Sequence, residues 1–499
     1  MKILFVYPNS GSQTGFNYGV AQMAAHLEQA GHETVFLHLC EDIEPLPDKE
    51  QFLQKVGDLK PDIIGFSVVT NQWPLTAEFA GWCRDELNIP LVCGGVHATV
   101  AGRQVLETGL FDYIMVGECE DAVVDFLDRL AEGKSVRDVA NLGMVLDGKI
   151  VVNPVRPLPQ LDEFPPKNYE IFDFQKIIDA KDGWVGLMAS RGCPYNCTYC
   201  FNHVMVKQYC NDLQCSVGQL KYIRHHTVEQ VIDEIKYLEQ NYKNIKMYIF
   251  DDDLFIFNKK FVVEFCRQYK KISSMPFVVN GHVGLFDEER ARALADANCH
   301  MVKFGVESGS EKIRTQIMHR KMSNRMIADA IAMVHQYSMQ SSCFIMFGLP
   351  HETIDDVMDT VKLMSQTLPS RFRWTYFYPF PGTEAHRMSV EGGFVDKDKI
   401  GSLMNFTDSS CLDFGEEQNL FLEKIGRILP WFVNAYSDLE VASFYREKVE
   451  EIVAMNQDEW RSCSPSLHDL DKKYSARFAK EGKIHYAVKY NPFMGVMSS

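Results

Sequence analysis

The chain has 499 residues, 46% of them hydrophobic and 24% charged, which is typical of a globular protein with a large core and about two to four domains. Its net charge of −16 argues against nucleic acid as the main partner, because phosphate contacts need a basic face. With no apolar run of ~18 residues and no signal-peptide pattern, we expect a cytoplasmic protein that does not enter a membrane, whose 14 cysteines are reduced thiols.

Short apolar runs alternate with helical patterns over residues 1–140. The runs predict buried parallel strands at 3–7, 35–39, 63–69, 91–93 and 113–116. Helices are predicted between them, from the spacing of Val20, Ala24 and Leu27 and near 75–87 and 120–132. This alternation predicts an α/β domain with a doubly wound, Rossmann-like parallel sheet.

A proline-rich stretch follows the first domain. Proline removes a backbone donor and fixes φ, so a long helix or a central strand is excluded there. We therefore predict a linker over residues 141–183. Its prolines are Pro154, Pro157, Pro159, Pro165 and Pro166.

A second series of strands and helices is predicted over residues 184–390. Thr227 and Gln230 match a capping box at the start of one helix. Six strands in this stretch predict a partial (β/α)6 barrel, whose active site would lie at the C-terminal ends of the strands. Residues 391–499 are predicted to form a mostly helical C-terminal region, with helix over 417–456 and irregular structure beyond. The barrel strands are predicted at 184–189, 247–250, 277–280, 301–306, 343–347 and 374–378.

Three cysteines follow the first barrel strand with the spacing C-x3-C-x2-C: Cys193, Cys197 and Cys200. Three thiolates on one short loop can bind three irons of a cubane cluster and leave the fourth iron open. An open iron can chelate an amine and a carboxylate, which the head group of methionine supplies. The motif resembles that of the radical S-adenosylmethionine (SAM) superfamily, and the resemblance implies a 4Fe–4S cluster that binds SAM. A zinc site that adds His203 is the alternative, although zinc ligands usually come in two spaced pairs.

Further segments agree with this resemblance. The acidic Asp251-Asp252-Asp253 ends the second barrel strand, where it could bind an ammonium or hydroxyl group or simply be solvated. Glu307 and Ser308 match the family segment that approaches the ribose and amino group of SAM. The segment from 344 to 353 resembles the one that packs on the adenine. The resemblance thus gives these candidate SAM-binding residues: Tyr199, Phe201, Asp252, Glu307, Ser308 and Gly348.

The first domain resembles cobalamin-binding domains. The matching segments, 61–70, 92–99 and 116–118, are strand-to-loop junctions, where doubly wound sheets bind ligands. The Asp-x-His-x-x-Gly motif, whose histidine ligates cobalt in many such domains, is absent, so the resemblance implies base-off cobalamin without a histidine ligand. His97 is expected to contact the nucleotide tail or to be structural. The candidate cobalamin-binding residues are Ser67, Thr70, Asn71, Gly94, Gly95, His97, Gly117 and Glu118.

The two resemblances together imply a cobalamin-dependent radical SAM enzyme of the class B methyltransferase type. Such an enzyme would methylate an unactivated carbon or phosphorus centre of a small molecule through a 5′-deoxyadenosyl radical, with a one-electron donor such as flavodoxin or ferredoxin. The alternative is a cyclisation, rearrangement or oxidation without methyl transfer. A non-enzymatic sensor and a tRNA-thiomethylating enzyme are disfavoured. The latter needs three further clustered cysteines in its first domain, where this chain has only scattered ones.

Overall fold

The computed structural model describes residues 1–11, 14–395 and 409–499. The chain forms two compact units. The first contains Met1–Pro194 and Cys200–Asp253, and the second contains Tyr195–Tyr199 and Leu254–Ser499. Residues 396–408 of the predicted C-terminal region lie outside the described residues. No helix of the described chain is long and apolar enough to cross a membrane.

A seven-stranded sheet organises the N-terminal part of the first unit, in the order β2-β1-β3-β4-β5-β6-β7. The first five strands are parallel, as predicted, while β6 and β7 add an antiparallel edge. These last two strands fall inside the predicted linker, where the sequence analysis missed them. The strands are β1 (Lys2–Pro8), β2 (Glu33–Leu39), β3 (Ile63–Ser67), β4 (Leu91–Gly94), β5 (Tyr113–Met115), β6 (Leu142–Leu146) and β7 (Lys149–Val152).

Helices connect these strands, and several begin at polar caps. The Asn17 side chain accepts from the Val20 N–H, and Asp48 and Gln51 form a capping box. Apolar side chains such as Leu4, Val6 and Phe66 form the buried core between helices and sheet. The helices are α1 (Tyr18–Gln29), α2 (Lys49–Leu59), α3 (Trp73–Glu86), α4 (Gly95–Glu107), α5 (Glu120–Ala131) and α6 (Phe174–Ala180).

The remainder of the first unit carries the first two predicted barrel strands, β8 (Trp184–Leu187) and β11 (Met247–Phe250), which pair in parallel. Between them, β9 (Ser190–Arg191) pairs antiparallel with β10 (Arg224–His225). The predicted capping box of Thr227 and Gln230 is present. The helices of this part are α7 (Phe201–Asp212), α8 (Val217–Leu220) and α9 (Val228–Asn241).

The second unit carries the other four predicted barrel strands, each parallel to the next. They are β12 (Phe277–Gly281), β13 (Cys299–Glu307), β14 (Gln340–Phe347) and β15 (Arg371–Tyr376). The helices that follow β12, β13 and β14 are typical of a βα series. Helices α10 to α14 are Lys259–Ile272, Glu288–Asp296, Asn324–Gln336, Ile354–Thr367 and Glu384–Glu391, and a π-helical turn spans Ile313–Ile317.

The C-terminal region is helical, as predicted, but ends in two strands that the sequence analysis took as irregular. Strand β17 (Met494–Ser498) pairs antiparallel with β15, and β16 (His485–Val488) pairs with β17. The indole N–H of Trp374 on β15 donates to the Gly426 carbonyl (2.8 Å), which fixes a helix on this sheet. Helices α15 to α18 are Glu416–Tyr436, Ala442–Ala454, Gln457–Cys463 and Leu467–Lys480.

Candidate active site

The cysteine loop begins directly after β9. Gly192 takes a φ of +93°, and a β-carbon there would collide with the Tyr222 carbonyl, so this turn requires glycine. Cys193 and Cys200 are half-buried, and Cys197 is buried. All fourteen cysteines lie in the described residues, and none forms a disulfide.

In the described part of the chain, no group of three or more His, Cys, Asp or Glu side chains could hold a single metal ion. The ligands of a cubane cluster each bind a different iron, so their assignment rests on the motif rather than on a preformed ion site.

In the second unit, Glu307 lies at the end of β13 with a φ of +66°, a conformation uncommon for a non-glycine residue. Burial raises the pKa of its carboxyl group above the usual value. The nearby cation Arg320 and a hydrogen bond from the Tyr199 hydroxyl oppose this rise without cancelling it. The Arg320 guanidinium also lies 3.5 Å from the Cys197 sulfur. Its buried Nε has no hydrogen-bond partner among the described residues, so a donor is left over beside a cluster cysteine. Such an unused donor fits a site that binds a further polar group.

Ser308 and Gly348 occupy buried strand ends in the second unit. The Ser308 hydroxyl oxygen accepts from the Ser310 N–H (3.2 Å). Gly348, with a φ of +74°, donates its N–H to the Glu352 carboxyl group (2.7 Å). Burial raises the pKa of Glu352 to about 8. The backbone turn of the predicted adenine segment is therefore held by a carboxyl group that is mostly protonated at pH 7.

Asp252, a candidate SAM-binding residue, has hydrogen-bond partners within the chain. It is fully buried, and its carboxylate accepts from the Ala189 N–H (3.1 Å) and the Ser190 hydroxyl, just before the cysteine loop. Burial raises its pKa to about 7. Its two neighbours, Asp251 and Asp253, line a cavity instead.

This cavity of about 490 Å³ lies wholly within the first unit. One wall is formed by the C-terminal ends of β1, β3, β4 and β5, the position where doubly wound sheets bind ligands. The opposite wall includes Arg191, Gly192 and Phe201, which flank the cysteines. The predicted cofactor residues that line it are Ser67, Gly94, Gly95, Gly117, Glu118 and Phe201.

The glycines of the cavity have different reasons to be glycine. A β-carbon on Gly95, whose φ is +88°, would lie 2.7 Å from the Val68 carbonyl oxygen, so the backbone itself excludes a side chain. A β-carbon on Gly94 would meet only one atom, at 3.9 Å, so the space beside it belongs to the cavity. The buried Glu120 Oε2 on the cavity wall has no partner among the described residues. A bulky, amide-bearing ligand such as a corrin fits this combination of space and unused acceptor.

Three predicted cobalamin residues, Thr70, Asn71 and His97, are not among those that line the cavity. Thr70 and Asn71 lie in the 3-10 turn Thr70–Gln72. His97 is buried against Trp73, with ring centroids 4.8 Å apart, and burial lowers its pKa to about 4. His97 is therefore a neutral, packed histidine, in agreement with the structural role left open for it.

Glu118 lies in a buried ion network that sequence reasoning did not find. It accepts from Arg191 (2.7 Å) and from both terminal nitrogens of Arg224. Arg191 also donates to Glu120 (2.7 Å), and the Glu118 N–H donates to the Tyr209 hydroxyl (2.8 Å). Although burial raises the pKa of Glu118, the two guanidinium groups hold it below its usual range. This network ties the end of β5 to the residue that precedes Gly192.

The comparisons with known proteins agree with these two sites. Residues 187–364 match the model of the radical SAM superfamily, and residues 9–127 match that of the B12 binding domain. The chain carries a radical SAM domain over residues 187–364 and a B12-binding domain over residues 9–127. The predicted family and α/β fold class are confirmed.

Two relatives and one solved structure are similar to this chain. An uncharacterized methyltransferase of Pyrococcus horikoshii is 28% identical over 406 residues, which cover 79% of this chain and 84% of the relative. The anaerobic magnesium-protoporphyrin IX monomethyl ester cyclase of Rubrivivax gelatinosus is 25% identical over 441 residues, 83% of this chain and 75% of the relative. The structure of the cobalamin-dependent SAM radical enzyme OxsB with aqua-cobalamin bound matches with a TM-score of 0.68 over 96% of this chain and 72% of that chain. At 15% identity, that likeness is one of fold.

Sequence reasoning missed Arg224 and Arg320, which have no motif around them that marks a site. Arg191 could have been found, because it stands inside the Ser190-Arg191-Gly192-Cys193 segment already singled out.

Proposed function

We propose that this radical SAM enzyme transfers a methyl group to an unactivated carbon or phosphorus centre of a small-molecule substrate. One observation carries the proposal. A single cavity of the first unit is bounded both by the strand ends of the B12-binding domain and by residues next to Cys193 and Cys200. A ligand seated on those strand ends therefore faces the segment that carries two of the three cluster cysteines.

When bound, the cluster supplies one electron for the cleavage of SAM, and the cobalamin carries the methyl group. The chain contributes the surroundings. Apolar side chains such as Phe5, Phe66 and Met115 line the cavity and exclude water, which would quench reactive species. The Tyr18 hydroxyl donates to Asp251 (2.6 Å) and orients that carboxylate at the cavity wall.

We further propose that the cobalamin binds base-off without a histidine ligand. No histidine is among the described residues that line the cavity, and His97 is packed against Trp73. The electron donor would be a small redox protein such as flavodoxin or ferredoxin.

A second candidate function is a cyclisation, rearrangement or oxidation without methyl transfer. The 25% identical cyclase favours it, because it matches as much of this chain as the methyltransferase relative does. Both functions use the same two sites, so only the fate of the methyl group separates them.

The first test is anaerobic reconstitution with iron, sulfide and hydroxocobalamin, followed by metal counts. We expect about four irons and one cobalt per chain, as one cubane cluster and one corrin require. The variant with Cys193, Cys197 and Cys200 all changed to alanine should lose the iron and keep the cobalt. Cys463→Ala, a half-buried cysteine outside the motif, is the control and should keep both.

The deciding experiment feeds the reconstituted enzyme SAM with a labelled methyl group and a panel of small molecules. Label in a product, with 5′-deoxyadenosine formed alongside, supports methyl transfer. Turnover of a substrate without label in its product contradicts methyl transfer and favours the second candidate.

A further inference from the structure

We propose that Arg320 is a positioning residue that raises the reduction potential of the cluster by donating a hydrogen bond to Cys197. The inference rests on the cluster part of the proposed function and not on the fate of the methyl group. Arg320, Cys197 and the other groups that Arg320 contacts belong to the second unit.

The guanidinium group of Arg320 bridges three partners. Its Nη1 lies 3.5 Å from the Cys197 sulfur and 3.2 Å from the Tyr199 hydroxyl, and its Nη2 donates to the Gly305 carbonyl (2.6 Å). The fork geometry of arginine lets one planar group hold the end of a strand and a cysteine together. The bond to Gly305 fixes the guanidinium, so its approach to the sulfur does not depend on a flexible side chain.

The Cys197 loop is attached to the same segment by its backbone. The Thr198 hydroxyl donates to the Ile317 carbonyl (2.6 Å), and the Thr198 N–H donates to the Met318 carbonyl (3.2 Å). Both acceptors lie at the end of the π-helical turn Ile313–Ile317. π-Helical turns are rare and occur frequently at functional sites. The two acceptors stand three and two residues before Arg320 in the chain.

A second arginine holds this segment in place. Arg314 is fully buried and donates to the Ser308 carbonyl, the Met322 carbonyl (3.1 Å) and the Asn324 side chain (2.6 Å). The Arg320 N–H donates to the Arg314 carbonyl (2.7 Å). These hydrogen bonds hold the chain on both sides of Arg320. They thereby fix the distance between the Arg320 guanidinium and Cys197.

The charge of Arg320 needs no special surroundings, because a guanidinium group stays protonated in proteins. A β-carbon on Gly305 would lie 3.2 Å from the Arg320 Nη2 and would also collide with the Glu307 carboxyl group. Glycine at this position therefore makes room for the cation and its acidic neighbour.

The effect on the cluster follows from charge. Transfer of one electron from the donor protein to the cluster adds one negative charge next to the thiolates, and no proton needs to move. A buried cation at hydrogen-bond distance stabilises that added charge, because the low local dielectric screens it little. Hydrogen bonds to the sulfurs are among the factors that set the potential of such clusters. Removal of the guanidinium should therefore make the cluster harder to reduce.

The test is a redox titration of the reconstituted full-length enzyme, without substrate, followed by electron paramagnetic resonance. For Arg320→Met we expect the equilibrium constant for reduction to fall at least tenfold, which is 59 mV for a one-electron couple. Arg320→Lys keeps the charge but loses the fork, so its potential should fall by less. The control is Arg325→Met, an exposed arginine of the next helix, which should leave the potential unchanged.

Two results would overturn the inference. One is a wild-type reduction potential for the cluster of the Arg320→Met variant. If that variant also binds SAM more weakly, Arg320 acts on SAM instead of on the cluster. If Arg320→Met holds no cluster, Arg320→Lys decides: a lower potential than wild type supports the inference, and an equal potential contradicts it. A wild-type cluster that titrates normally in an enzyme that transfers no methyl group would contradict the proposed function and leave this inference standing.

Discussion

Two glutamates with little exposure to water, one in each unit, follow a parallel strand at a candidate cofactor site. One of them is charged and the other is neutral. Glu118 follows β5 and faces the guanidinium groups of Arg191 and Arg224, which hold its pKa below the usual range despite burial. Glu352 follows β14 and accepts from the N–H groups of Gly348 and Leu349, and burial raises its pKa to about 8. Both carboxyl groups have little contact with water, so the partner decides whether such a group is charged.

The difference has a functional meaning. Glu118 is a permanent anion that joins the end of a B12-domain strand to the residue before the cysteine loop. Glu352 is a neutral group that shapes the turn at Gly348. The first region depends on ion pairing and the second on a protonation state.

The largest expected effect breaks the first region. Glu118→Gln leaves the buried Arg224 without its counter-charge and leaves Arg191 with Glu120 alone. Breaking a buried ion pair in this way costs about 3–5 kcal/mol of unfolding free energy. Urea denaturation of the apoprotein at pH 7 measures it.

The control for this variant is Glu132→Gln, which removes an exposed partner of Lys134 and should cost less than about 1 kcal/mol. If Glu118→Gln costs no more than this control, the network does not stabilise the first unit.

A smaller effect is expected from alanine at a left-handed glycine in each region. Gly95→Ala places a β-carbon 2.7 Å from the Val68 backbone, which cannot move away easily. Gly348→Ala places it 2.8 Å from the Ser410 hydroxyl oxygen, which can rotate. In both variants the left-handed conformation of alanine lowers the unfolding free energy by roughly 1–2 kcal/mol. Gly95→Ala should lower it further, because its β-carbon meets the backbone.

Denaturation compares the stability of the two glycine variants, and cobalt and iron counts after reconstitution compare their cofactor binding. Gly95→Ala should lower the cobalt count and leave the iron count unchanged. An equal cobalt count in the two variants would contradict the assignment of the Gly95 turn to the cobalamin site.

The last comparison concerns the pH dependence of stability. The folded-state pKa of Glu352, about 8, exceeds its ordinary value of 4.5, so its contribution to stability is present below pH 4.5 and is lost as the pH rises to about 8. Glu352→Gln mimics the neutral form and should flatten that decline. Unfolding free energies at several pH values from 3 to 9 test it.

Glu118 provides the internal comparison for this experiment. Its lowered pKa means that its contribution is present above pH 4.5 and is lost as the pH falls through the folded-state pKa. Glu118→Gln should therefore change the acid side of the profile, and Glu352→Gln the alkaline side. Identical profiles for Glu352→Gln and wild type would mean that Glu352 is ionised in the folded enzyme.

Strong local patterns made much of the fold predictable. The five parallel strands of the first sheet and the six barrel strands are apolar runs bounded by helical patterns, and Thr227 with Gln230 is a local cap. Six strands were missed, the two-residue β9 and β10 and the longer β6, β7, β16 and β17, and each of them forms antiparallel pairs. Their short, partly exposed segments, with Val151 and Val152 more than a third exposed, lack the continuous apolar signal of a buried strand.

The sequence by itself determined the cofactor chemistry, because the three cysteines lie within eight residues and their spacing is a local property of the chain. The tertiary structure alone decided which charges surround them. Arg224 meets Glu118 across 106 residues of sequence, and Arg320 meets Cys197 across 123. Neither pair has a local pattern, since a long-range contact is created only when the strands that carry its members are packed. It is also the fold that turned Asp252 away from the cavity and made Glu352 a neutral acid.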